Sequence, residues 1–127
     1  MDTPLGTHRF QIILGVLLLL AKHGGTLSST EMAKNLHVNA AYLRKIISEL
    51  LKLGLVEAKE GHDGGYKLKL PANHISLADA YEAVRNEKKS QNETENGWFS
   101  LEQVKTEIDS CTITCLKKYR ISDVMIG

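Results

Sequence analysis

The sequence predicts a mostly α-helical chain with one small two-stranded β element and a long helix toward its C-terminal end. Three observations predict it. Apolar residues recur at helical spacing between 10 and 53, in runs separated by capping residues and glycines. Two short strand-forming runs flank a glycine-rich hairpin at 61–65. An isolated apolar seam then follows between 101 and 115, beyond a polar stretch.

The first helix covers Phe10 to Ala21, where Phe10, Ile13, Leu14, Leu17, Leu18 and Ala21 follow helical spacing while Ile12, Val16, Leu19 and Leu20 fill the other side. A helix apolar nearly all round must be covered on both faces, and in so small a domain the second cover is expected from another subunit. Gly24-Gly25 stops it. Ser28 and Glu31 then form a capping box for a short helix over 29–36, with the hydroxyl bonding the Glu31 amide and the carboxylate returning to the Ser28 amide. After the turn at 37–39, Asn39 caps a third helix over 40–53, ended by Gly54. Its buried stripe is Leu43, Ile46, Ile47, Leu50 and Leu51, and its other side carries Ala41, Tyr42, Arg44, Lys45, Ser48 and Lys52.

Strands are expected over 55–60 and 66–70, with Gly64 and Gly65 supplying the positive φ that a tight hairpin needs. Pro71 ends the second strand, and Ser76 with Asp79 caps a fourth helix through Leu77, Ala80, Tyr81 and Val84. Residues 86–97 are polar without apolar period and read as a linker. Beyond it Leu101, Val104, Ile108, Cys111 and Cys115 alternate spacings of three and four on a helix over 100–119, with Trp98 anchoring its start. A helix of that length with one narrow seam needs a partner surface, and helix one of a second subunit offers one. The expected division is therefore 1–85 as one domain, 86–97 as linker, and 98–127 as a dimerisation helix with a C-terminal turn.

Composition narrows the function. The chain has 127 residues, 43% of them hydrophobic, enough for one core, and a net charge of +1. Residues 1–89 carry 12 basic and 9 acidic side chains and residues 90–127 carry 4 and 6, so a polyanion would meet the first part. The apolar run 12–21 falls short of the roughly 18 residues that a membrane span requires. With no Lys or Arg in residues 1–5 and only two cysteines, the expectation is a cytoplasmic protein without a signal peptide or disulfide framework. Phosphate loops, nucleophile elbows and paired carboxylates on a rigid element are missing, so an enzyme is not expected. The five histidines show no metal-ligand spacing, and no cofactor is expected.

Helix, short capped helix, turn, third helix and two-stranded wing is the order of a winged helix-turn-helix, whose third helix enters the major groove of double-stranded DNA. The residue types suit that task. Arg44 and Lys45 can reach guanine edges or phosphates, Tyr42 can pack on sugar or a thymine methyl, and Ser29 and Asn39 can bond phosphate oxygens. Ala41 lies on the same face, and the wing adds His62, Gly64, Gly65 and Lys67. Arg44 and Lys45 could equally form a solvated helix face, and the glycines are shape residues whether or not DNA is bound.

These residues also carry a family resemblance. Ser29-x-x-Met32-Ala33, the run from Ala41 to Ile46, Gly54-Leu55-Val56, Gly64 to Leu68 with Pro71, and Ile75-Ser76-Leu77 resemble the Rrf-two (Rrf2) family of bacterial transcription regulators. The resemblance covers about residues 7–85 and, more loosely, 98–126. It implies a homodimer with a long C-terminal dimerisation helix, palindromic operators and, as the reading adopted, repression. Cluster-binding members of that family carry three closely spaced cysteines between the wing helix and the dimerisation helix. Here the corresponding segment, 86–97, contains none. Cys111 and Cys115 sit on the seam instead, as small core residues or, alternatively, as ligands of a metal held across a dimer axis. Two further readings stay open: a protein-interaction module on the same fold, and a thiol- or metal-responsive sensor.

Overall fold

The computed structural model describes residues 8–61, 64–88, 98 and 100–125. In chain order these form α1 (His8–His23), α2 (Ser29–Leu36), α3 (Ala40–Lys52), β1 (Val56–Lys59), β2 (Gly65–Leu68), α4 (Leu77–Lys88) and α5 (Glu102–Leu116). Short 3-10 turns lie at Ala72–His74 and Ile121–Val124. The mostly helical fold with a single hairpin is the expected one.

The core forms around α1. Phe10, Ile13, Val16, Leu17 and Leu20 are buried, and so is Ile12 on the flank the sequence reading assigned to a second subunit. Within one chain α1 packs against α2, α4, β2 and both 3-10 turns, and Leu14, Leu18 and Leu19 are half-buried against the same core. That expectation is therefore corrected: α1 is apolar all round because it is the central helix of its own chain.

Local chemistry sets the helix boundaries. The Ser28 hydroxyl accepts from the Glu31 amide at 3.1 Å and donates to Glu31 Oε1 at 3.3 Å, so the carboxylate meets the hydroxyl rather than the backbone amide expected of a full capping box. Asn39 Oδ1 accepts from the amides of Ala41 at 2.8 Å and Tyr42 at 3.2 Å. At the fourth helix the box is complete, with Asp79 N–H donating to Ser76 Oγ at 3.2 Å and Ser76 N–H to Asp79 Oδ2 at 2.9 Å. α4 then runs on to Lys88, into the segment expected to be linker. His62 lies outside the described residues, as does 89–97.

β1 and β2 pair antiparallel, Val56 opposite Leu68 and Glu57 opposite Lys67. Both strands are shorter than expected. A pairing that hydropathy did not signal joins β2 to the α1–α2 connection: Tyr66 N–H donates to the Leu27 carbonyl at 2.8 Å and Leu27 N–H to the Tyr66 carbonyl at 3.0 Å.

The C-terminal segment returns to the first domain. Leu77 N–H donates to the Tyr119 carbonyl at 2.9 Å and Ile121 N–H to the Ile75 carbonyl at 2.8 Å, which seats Ile121 fully in the core. α5 ends at Leu116, earlier than expected, because the chain must turn into this pairing. Trp98 is 83% exposed, so its ring is not buried at the start of α5. No helix among the described residues is long and apolar enough to cross a membrane.

Candidate nucleic-acid interface

α2 and α3 meet at a tight corner. Met32 and Ala33 bury the inner side of α2, and His37 takes the left-handed conformation at φ 55° between the helices, its amide bonding back to the carbonyls of Ala33 and Lys34. Asn39 then starts α3. Leu43, Ile46, Ile47 and Leu50 face the core at 0–1% exposure, which turns Ala41, Arg44, Lys45 and Ser48 outward. Leu51, assigned to the buried stripe by its spacing, is 38% exposed at the stripe's edge.

Arg44 and Lys45 are adjacent cations without an ion-pair partner among the described residues, whereas Lys52 of the same helix is paired with Glu49 at 3.4 Å. Tyr42 is half-buried against the core, so its ring offers DNA an edge rather than a free side chain. Ser29 is half-buried in the first turn of α2, and Asn39 keeps its amide nitrogen beyond the capping bonds its oxygen makes.

The hairpin follows α3 in chain order and is pinned to the α1–α2 connection at Leu27. Val56 is buried and Tyr66 and Leu68 are packed against the core, so the alternate positions Glu57, Lys67 and Lys59 belong to the outer face. Lys67 is paired there with Glu57 at 3.3 Å, both about half exposed, which offsets the charge Lys67 was expected to lend the wing. Lys59, exposed at the tip-proximal end of β1, was missed; its place two residues beyond Glu57 was the available signal.

The glycines meet the expectation in part. Positive φ falls on Gly65, at 159°, as expected, and on Gly61, at 113°, rather than on Gly64, and both Gly64 and Gly65 are also required by close approach. A Cβ on Gly65 would lie 2.5 Å from the Leu27 carbonyl oxygen, and one on Gly64 would lie 2.6 Å from that of Lys59.

On α5, the seam residues Leu101, Val104 and Ile108 are 50–58% exposed, and Cys111 and Cys115 are exposed thiols. The opposite side of the helix carries Ile113 and the buried Leu116 against the body.

A relative in Cereibacter sphaeroides, the HTH-type transcriptional regulator IscR, is 37% identical over 78 residues, 60% of this chain and 50% of that protein. The chain thus spans about half the length of the curated relatives it matches. Among solved structures, that of CymR, the global cysteine regulator of B. subtilis, covers 98% of the chain with a TM-score of 0.70 at 20% identity. That of T. potens IscR covers 97% of this chain and 85% of its own, with a TM-score of 0.70 at 21% identity. At such identities these neighbours show the fold, a winged helix. The matching family is described as iron-dependent, and the residues here do not fit an iron-sulfur site within one chain. Such clusters take about four cysteine ligands; this chain has two, and among the described residues no group of three or more His, Cys, Asp and Glu could hold a metal. The relatives are regulators rather than enzymes, and the Rrf2 profile matches residues 7–125: the chain belongs to the Rrf2 family of transcriptional regulators.

Proposed function

We propose that the chain is a sequence-specific repressor that acts in the cytoplasm as a homodimer on palindromic operator DNA. In this reading α3 lies in the major groove and the β1–β2 hairpin on the flanking groove. The observation that carries it is the pair Arg44 and Lys45, exposed and without ion-pair partners among the described residues, on the one face of α3 that the core leaves free. Arg44 suits bidentate reading of guanine, and Lys45 suits phosphate. Ser29 and Asn39 stand at helix starts, where backbone amides and the helix dipole favour phosphate oxygens. Lys67 reaches phosphate by giving up Glu57, an exposed pair worth at most about 1 kcal/mol.

A homodimer is supported by the seam of α5. Leu101, Val104 and Ile108 form an apolar face that nothing among the described residues covers, on a helix whose other side is already committed to its own body. Two recognition helices linked in this way favour a two-fold operator.

The test is selection of bound fragments from genomic DNA, followed by titration of the recovered duplex over a range of salt. A shared two-fold sequence motif, bound far more tightly than random duplex, is the expected outcome. No preference over random duplex would favour a module that regulates a partner protein through the same fold.

A further inference from the structure

The chain's two cysteines share one helix face. At roughly 100° per residue, Leu101, Val104, Ile108, Cys111 and Cys115 fall within an arc of about 80°. Both thiols are exposed, four residues apart.

The spacing decides what they can do. Side chains at i and i+4 on a helix hold their Cβ atoms about 5–6 Å apart, whereas a disulfide needs about 3.5–4.5 Å between them. The pair therefore does not close on itself while α5 stays helical. A tetrahedral ion with metal–sulfur bonds of about 2.3 Å sets two thiolates roughly 3.8 Å apart, a separation that two sulfurs reach by leaning together from those Cβ positions. The helix thus presents a two-tooth chelate for a soft cation.

Two thiolates fill half of a tetrahedral shell. Among the described residues no third His, Cys, Asp or Glu joins them, so the remaining ligands come from outside the chain. The face that bears the thiols is also the face the homodimer would close, which brings a second identical pair to the same seam. We infer that Cys111 and Cys115 of two protomers form a four-thiolate site for one thiophilic d10 cation of the zinc and cadmium class, bridging the dimer. The inference rests on the homodimer reading. Each thiol gives up its proton as it binds, so uptake weakens as pH falls.

The experiment titrates cadmium alone into the reduced, metal-stripped full chain, following thiolate-to-cadmium charge-transfer absorption and sedimentation together. The absorption is expected to saturate at one cadmium per two chains, to be displaced by zinc, and to vanish in a Cys111→Ser/Cys115→Ser double variant that still dimerises and binds operator. Saturation at one cadmium per chain, or equal binding by the double variant, would overturn the bridging site. Anaerobic incubation with ferrous iron and sulfide is expected to leave the protein colourless, and stoichiometric acid-labile sulfide would replace the d10 assignment with a cluster. A dimer without cadmium binding sinks the metal site alone, whereas a monomer under all conditions sinks the homodimer reading and the site with it.

Discussion

The Tyr81 hydroxyl on α4 donates a 2.8 Å hydrogen bond to Asp109 on α5, and Arg85 Nε stands 3.7 Å from the other oxygen of the same carboxylate. This polar clasp ties α5 to the winged-helix body, with the Tyr81 ring packed edge-on to Phe10 of α1. Burial, reinforced by the Asp109 hydrogen bond and charge, pushes the phenol from 10.0 up to about 12. Tyr81→Phe is expected to cost about 1 kcal/mol at neutral pH. The gap should narrow above pH 10. There the unfolded chain ionises Tyr81 while the folded chain still holds its proton, so wild-type stability falls away between pH 10 and about 12 and the phenylalanine variant escapes that loss. Urea unfolding of both proteins across this window checks it; a constant gap would show that the hydrogen bond does not link the two helices.

Gly65→Ala is expected to destabilise by about 1–3 kcal/mol, since its Cβ would meet the Leu27 carbonyl oxygen at 2.5 Å and part the hairpin from the α1–α2 connection. Amide exchange at Tyr66 and Leu27 should quicken before that of α1. Unchanged exchange at both amides would contradict the pinning role assigned to this pairing.

Arg44→Ala is expected to cost about 1–3 kcal/mol on cognate operator and little on random duplex, because a bidentate base contact carries sequence information. Lys67→Ala should weaken both alike. Its loss should be smaller than that of Lys45→Ala, because Lys67 already shares its charge with Glu57. Affinity should fall with salt at about −0.9 per phosphate contact in a log–log plot, and each lysine variant should flatten that slope. Equal losses on cognate and random DNA for Arg44→Ala would move base reading to another residue.

The features legible in the sequence are those whose cause is local. Ser28, Asn39 and Ser76 act on amides two or three residues away, so their spacing alone announces α2, α3 and α4. Period 3.6 likewise sorted Leu43, Ile46, Ile47 and Leu50 from Arg44 and Lys45. Periodicity reports that a face is covered, but not by what. For α1 it implied a second subunit, and the cover is α4 with the returning Ile121. The Leu27–Tyr66 and Ser76–Arg120 pairings join distant segments by backbone bonds, which no side-chain pattern encodes. Gly64 and Gly65 were marked correctly as shape residues, but only Gly65 takes the positive φ expected of both, and the carbonyls that crowd them belong to those distant pairings and to the hairpin tip. On α5 the pattern and the fold agree that Leu101, Val104 and Ile108 lie off the chain's own core.

The dimer is tested most directly at Ile108, midway along the α5 seam and 58% exposed within one chain. Because that exposure leaves a charge hydrated in the isolated protomer, Ile108→Asp should not damage the chain's own core. In a closed seam the same carboxylate would be buried opposite another copy without a counter-ion, costing several kcal/mol, on the order of 3 or more. The variant is therefore expected to sediment as a folded monomer with the helical circular dichroism and thermal midpoint of an intact winged helix. Operator affinity should fall steeply with it, since each half-site is then bound without the effective concentration that linkage supplies. Leu116→Asp is the matching control: Leu116 is 4% exposed on the body side of the same helix, so a charge there should unfold the protein rather than separate it. An Ile108→Asp protein that remains fully dimeric with unchanged operator affinity would place the interface on another surface.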